Sequence, residues 1–251
     1  MLRTTIWFIH FWCYLILILP NLIKVRALHR AKKIEKRDRE VDRIVKKWAR
    51  SMVNLSGSKV IVTGKEHISP RGGVVFISNH QGYFDIPILL GFIDKPKAFI
   101  AKKELKKFPL ISSWMYYMNC VFLDRSSARA GLKAIQEGVA FLKQGYSQII
   151  FPEGTRSRGD QLGEFKLGSF KLATKAQVPI VPVTIKGSYN IMEANGGLIK
   201  PAVVEVFISE PISTAGLSKE GIEQLPEKVR NIIALQLTHR GTVLLCEQGS
   251  T

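Results

Sequence analysis

The residues best suited to chemistry lie in the stretch Asn79-His80-Gln81-Gly82-Tyr83-Phe84-Asp85. A histidine and an aspartate five positions apart, set across a turn, can meet through an imidazole N–H to carboxylate hydrogen bond. Such a bond fixes the ring tautomer and leaves the other nitrogen free as a base. A second stretch, Pro152-Glu153-Gly154-Thr155-Arg156-Ser157-Arg158, gathers glycine, hydroxyls and two arginines. Guanidinium forks match phosphate oxygens in pairs, which makes this stretch a candidate phosphate cradle. Asp124-Arg125 offers one more arginine, and Lys102 and Lys166 could add charge. Each feature alone has a plainer reading, since a lone histidine in a turn is usually structural and a basic loop is usually only solvated.

What positions these residues is a series of short apolar runs, each directly upstream of one of them. VVFIS (residues 74–78) precedes Asn79, CVFL (120–123) precedes Asp124, and SQIIF (147–151) precedes Pro152. Such β-branched runs read as strands, as do KVIVT (59–63), residues 98–101, 180–185 and 203–208. Between them lie helical stretches near residues 84–92, 109–118, 165–176 and 221–239. One more helix carries Leu132, Ile135, Val139 and Leu142 at helical spacing, with Ser126 or Ser127 as N-cap and Gly145 as its stop. Alternation of this kind predicts an α/β fold with a mainly parallel or mixed sheet flanked by helices. In such sheets, sites form beyond the carboxyl ends of strands, where the candidate residues fall.

The chain has 251 residues, 46% of them apolar, with 37 Lys and Arg against 20 Asp and Glu for a net charge of +17. That excess demands an anionic partner: nucleic acid, a phosphorylated substrate or an acidic lipid surface. No zinc finger, basic zipper or aromatic RNA-binding block occurs, which argues against nucleic acid. Cys13, Cys120 and Cys246 are far apart, and the five histidines form no metal-binding pair, so neither a disulfide framework nor a metal site is expected. The absence of a Gly-x-Ser-x-Gly elbow leaves a serine nucleophile and an acyl-enzyme with little support.

Residues 6–23 (IWFIHFWCYLILILPNLI) are nearly all apolar and close to the shortest length that spans a bilayer. Arg3 alone is a weak n-region and no small-residue cleavage site comes after the apolar run, which argues against a signal peptide. Lys24, Arg26, Arg30, Lys32, Lys33, Lys36, Arg37 and Arg39 come next, placing the chain beyond residue 24 on the cytoplasmic side of a cell membrane. A helix through this region would line up Ile34, Val41, Ile44, Val45, Trp48, Met52 and Leu55. That stripe either lies in an anionic lipid interface or packs on the globular domain. Pro20 and Asn21 could also bend the chain into a hairpin within one leaflet. The expected organisation is thus a membrane helix and a basic amphipathic helix (1–57), an α/β domain (58–240) and a loose tail (241–251).

Four ordered blocks together resemble the 1-acylglycerol-3-phosphate acyltransferase family of glycerolipid acyltransferases. NHQGYFD is similar to its NHx4D block, FLDR to the second, FPEGTRSR to the third and IVPVTI, with its internal proline, to the fourth. AKKEL and FKLG also look like family sequence, so the resemblance covers residues 59–210. It implies a glycerol-3-phosphate acyltransferase-like fold, with His80 as general base and Asp85 orienting it. Arg125, Glu153, Gly154, Thr155 and Arg156, with Lys102 nearby, would hold the glycerol phosphate. Glu153, a like charge beside phosphate, suits pairing with an arginine and holding the loop better than direct contact. Asn79 and nearby backbone N–H groups are candidates for oxyanion stabilisation. The implied reaction passes an acyl group from acyl-CoA or acyl carrier protein to lysophosphatidic acid in a phospholipid membrane, with no metal or cofactor. The alternatives are an enzyme of the same family acting on glycerol 3-phosphate or another lysophospholipid, or a membrane-tethered nucleic-acid or anionic-lipid binder.

Overall fold

A computed structural model describes residues 1–124 and 127–238. Arg125, Ser126 and the tail at 241–251, with the expectations placed on them, lie outside the described residues.

Strands β1 (Lys59–Thr63), β2 (Val75–Ser78), β3 (Lys97–Lys102), β4 (Val121–Leu123), β5 (Ser147–Ile150), β6 (Ile180–Lys186) and β7 (Val203–Ile208) form a 7-stranded sheet. Their order is β1-β7-β6-β2-β5-β3-β4, and every neighbouring pair is parallel except β6 with β7. This is the expected mixed, mainly parallel sheet. β2 and β5 are buried at every position, as strands covered on both faces must be. Pro182, which has no N–H to donate, sits within β6 opposite Ile77 of β2. Its unpaired side meets a bulge: β6 pairs Val183 with Ile208, but Ile180 bridges to Ile212, leaving one extra residue on the β7 side.

Two apolar layers cover the sheet. Phe76, Val181, Val183, Ile185, Val204 and Val206 pack beneath α2 (Leu19–Arg30), α3 (Ile34–Ser56), α4 (Asp85–Phe92) and α5 (Pro109–Tyr117). Val75, Ile77, Ile150 and Ile180 pack beneath α6 (Ala128–Lys143), α7 (Lys171–Ala176) and α8 (Lys219–Thr238). Val75 and Ile77 point one way and Phe76 the other, the period of two that a strand imposes. Ser127 caps α6 by accepting the Ala130 N–H at 3.2 Å. The helix expected over 165–176 is shorter: Leu167–Phe170 form a 3₁₀ turn, and only Lys171–Ala176 are α-helical.

In the N-terminal region the apolar run is not one spanning helix but two helices, α1 (Leu2–Leu17) and α2, bent by 40° as the alternative with Pro20 and Asn21 allowed. The break falls at Ile18, with Pro20 in the first turn of α2, where its missing N–H is harmless. No single helix among the described residues is long and apolar enough to cross a membrane, though the bent pair together reaches that length. The stripe on α3 resolves in favour of packing: Val41, Ile44, Val45, Ala49, Met52 and Val53 are buried. Arg37, counted above among the basic residues that come after the apolar run, turns inward at 5% exposure. It bonds Asp38 and lies 2.9 Å from His29 Nδ1, while the Tyr146 hydroxyl donates to Asp38 at 2.7 Å.

α1 is lashed to the domain along its inner face. Arg3 donates to Ser56 O at 3.0 Å, Trp7 Nε1 to Met52 O at 2.8 Å, and Ile199 N–H to Thr4 Oγ1 at 2.9 Å. Its outer face leaves Leu2, Ile6, Ile9, Trp12, Ile16 and Leu17 exposed.

Candidate active site

β6, β2, β5, β3 and β4 run in one direction, so their carboxyl ends share one edge of the sheet. The loops after β2, β5 and β6 converge there. His80 and Asp85 flank the turn between β2 and α4, and His80 Nδ1 lies 2.7 Å from Asp85 Oδ2. The same oxygen accepts the Gln81 N–H at 2.6 Å and the Gly82 N–H at 3.0 Å, and Oδ1 accepts the Ser188 hydroxyl. Asp85 is wholly buried, whereas the His80 side chain is 17% exposed. With its carboxylate accepting throughout, Asp85 leaves Nδ1 as the ring's donor and Nε2 with a free lone pair. Phe151 stacks on the imidazole at 3.9 Å and 12°, limiting ring rotation.

The loop after β5 is stitched to the histidine's own peptide. Glu153 Oε1 accepts the His80 N–H at 2.9 Å, and Oε2 accepts the Gly163 N–H at 3.0 Å. Burial pushes the Glu153 carboxyl above the usual carboxylate range, and these two N–H bonds oppose that shift. The residue holds the loop, as preferred above, but through backbone amides rather than an arginine. That commitment removes it from the phosphate ligands. In return, Ser157 N–H donates to His80 O at 2.8 Å and Arg158 N–H to Gln81 O at 3.1 Å.

Arg156 rises beside this seam, its guanidinium 3.7 Å from the centre of the Tyr83 ring. One nitrogen approaches Glu193 Oε1 at 3.4 Å; its other N–H groups bond nothing among the described residues and stay available to an anion. Gly154, at φ +71, and exposed Thr155 form the turn between Glu153 and Arg156. Lys102 is exposed at the end of β3, on the same edge but with no bond to the His80 loop.

Asn79 corrects an expectation. Its Nδ2 donates to Ile185 O and its Oδ1 accepts the Ile185 N–H, both at 2.8 Å, and the residue is 1% exposed. The side chain is a clamp between β2 and β6, not an oxyanion donor. Residues that sequence reasoning missed are Ser188, Glu193, Gln81 and Phe151. Gln81 accepts the Ser188 N–H at 3.1 Å and donates to Asp160 at 2.8 Å, while Glu193 accepts the Tyr83 N–H at 2.8 Å. Only the position of Gly187-Ser188 after a strand of the same edge could have drawn attention to it. Among the described residues, no group of His, Cys, Asp and Glu is arranged to hold a metal ion.

The arrangement sets a fixed imidazole beside a loop that carries Arg156. Residues 59–186 match the family model described as Acyltransferase. The chain is 34% identical to a probable 1-acyl-sn-glycerol-3-phosphate acyltransferase of Mycoplasma pneumoniae, over 63% of this chain and 64% of that protein. It is 35% identical to the 1-acyl-sn-glycerol-3-phosphate acyltransferase of Saccharomyces cerevisiae, over 70% of this chain and 59% of that one. The matched part thus spans less than two thirds of either relative. A crystal structure of the 1-acyl-sn-glycerophosphate (LPA) acyltransferase from Thermotoga maritima superposes with a TM-score of 0.83 at 30% identity. That match covers 100% of this chain and 97% of the other.

Proposed function

The chain belongs to the acyltransferase family, and on that premise we propose that it moves a fatty-acyl group from a thioester to the sn-2 hydroxyl of 1-acylglycerol 3-phosphate, forming phosphatidic acid. The observation that carries this reading is the buried Asp85 carboxylate 2.7 Å from His80 Nδ1, beside a cradle whose arginine has N–H groups to spare. His80 Nε2 takes the proton of the acceptor hydroxyl as its oxygen attacks the thioester carbonyl carbon. The C–S bond then breaks, and the departing sulfur receives the proton from His80. Asp85 supports the imidazolium formed between these events, and no acyl group is left on the protein. Arg156, with Arg125, holds the acceptor's phosphate. The carrier, coenzyme A or acyl carrier protein, is a co-substrate.

We further propose that α1 and α2 enter one leaflet instead of crossing the bilayer. The fastening of Arg3, Thr4 and Trp7 to the catalytic domain keeps the first turn of α1 on the domain's own side. Its outward row of Leu2, Ile6, Ile9, Ile16 and Leu17 supplies the apolar face, and the exposed Lys24, Arg26, Arg30, Lys32, Lys33, Lys36 and Arg39 meet anionic headgroups.

The test uses the purified full chain in detergent, with acyl-CoA and acyl carrier protein as donors. Lysophosphatidic acid, glycerol 3-phosphate and a lysophospholipid with a blocked phosphate serve as acceptors. We expect transfer to lysophosphatidic acid, a folded but inactive His80→Ala protein, and no protein-bound acyl label without acceptor. Normal turnover by folded His80→Ala, or preference for another acceptor, would falsify this assignment.

A further inference from the structure

β6 presents no side chain that the transfer step uses, yet the turn after it reaches the centre of the site. Gly187 adopts φ +87, and a Cβ there would meet Val203 O at 2.8 Å, so the turn requires glycine. It lays Ser188, fully buried, against Asp85. The Ser188 hydroxyl lies within hydrogen-bond distance of two acceptors, Asp85 Oδ1 and Gln81 Oε1. A hydroxyl has one proton to donate. Gln81 cannot turn its amide around, because Nε2 donates to Gly159 O at 3.2 Å and to Asp160 Oδ1 at 2.8 Å. Its Oε1 already accepts the Ser188 N–H at 3.1 Å. The carboxylate is the stronger acceptor, so the hydroxyl proton goes to Asp85.

We propose that Ser188 is a positioning residue for the general base, whose hydroxyl holds the Asp85 oxygen that His80 does not use. The inference rests on His80 being that base. A carboxylate gripped at one oxygen only can rotate about its Cβ–Cγ bond and carry Oδ2 out of line with Nδ1. Backbone N–H groups of Gln81 and Gly82 hold Oδ2; Ser188 alone among the described residues holds Oδ1. The fourth sequence block therefore contributes to the chemistry through the residue its turn delivers.

The experiment compares Ser188→Ala, Ser188→Val and Ser188→Thr in the full chain, beside His80→Ala. Valine and threonine are nearly the same size, so their difference isolates the hydroxyl. For each variant, kcat and both KM values are measured per folded molecule, with thermal melting recorded on the same sample. Loss of a hydrogen bond to a charged group predicts kcat lower by about tenfold for alanine and valine, with both KM values unmoved. Threonine should recover most of the loss. The proposal is overturned by parental kcat in the alanine and valine proteins, by threonine no better than valine, or by losses that follow only the folded fraction. An active His80→Ala protein would fail the function itself; an inactive one beside normal Ser188 variants would fail this inference alone.

Discussion

Replacing Asp85 with asparagine removes a charge from the site while nearly keeping its shape. Three N–H groups point at Oδ2 and one hydroxyl at Oδ1. An asparagine fits this set in one orientation: carbonyl oxygen toward the three N–H groups, NH2 toward the Ser188 oxygen, which turns to accept. Fold and ring tautomer should therefore survive. What disappears is the anion that, in the proposed mechanism, faces His80 once the ring has taken a proton. Unit charges about 4 Å apart interact by about 4 kcal/mol at an effective dielectric of about 20. The amide dipole recovers part of this, so kcat should fall by roughly 10²–10³. Thiol release from acyl-CoA in detergent micelles reads the rate, and a thermal melt of the same sample reads the fold. A well-folded Asp85→Asn protein keeping more than about a tenth of parental kcat would refute the electrostatic role, since the loss would then be under ~1.4 kcal/mol.

Asn79→Ala breaks both bonds to Ile185 and leaves buried backbone groups unpaired, at about 2–4 kcal/mol of stability. Melting should show that loss while kcat of the folded fraction stays near parental; a hundredfold fall in kcat with unchanged melting would restore the oxyanion role. Arg156→Lys keeps the charge but loses the fork and the stack on Tyr83, so acceptor KM should rise about tenfold with donor KM unmoved. Equal damage with an acceptor lacking phosphate would assign the arginine to the fold or the donor. Lys97 is buried, and burial pushes its ammonium down to about 7. The unfolded chain, near ~10.4, therefore holds an extra proton between those values, and stability rises with pH across that window. Relative to Lys97→Met, the parent should gain stability from pH 7 toward pH 10; a constant difference over that range would count against it.

The strands, their parallel sense and the His80–Asp85 pair were legible because each is a local pattern: β-branched runs, and two residues astride one turn. Ser188 and Glu193 were not. They meet Asp85 and Tyr83 across more than a hundred residues of sequence, and nothing local marks a serine as a carboxylate's partner. Asn79 misled for the same reason, since an amide next to His80 reads alike in sequence whether it faces a substrate or Ile185. The stripe on α3 fits a lipid surface and a protein surface equally well by spacing, and only the apolar face offered by α4 decides between them. The break at Ile18 was foreshadowed by Pro20, though proline in a first helical turn does not say where the preceding helix ends.

The two bonds from Ser157 and Arg158 to the carbonyls of His80 and Gln81 join the His80 turn and the Arg156 loop into one piece. Such a piece works as a ruler. If Arg156 grips the phosphate, the distance from phosphate to Nε2 is set by the backbone and not by the flexible lipid. Hydroxyls at different spacings from the phosphate would then reach Nε2 unequally. Positional selectivity would arise from two peptide hydrogen bonds, and lengthening either loop by one residue should blur it before it abolishes turnover.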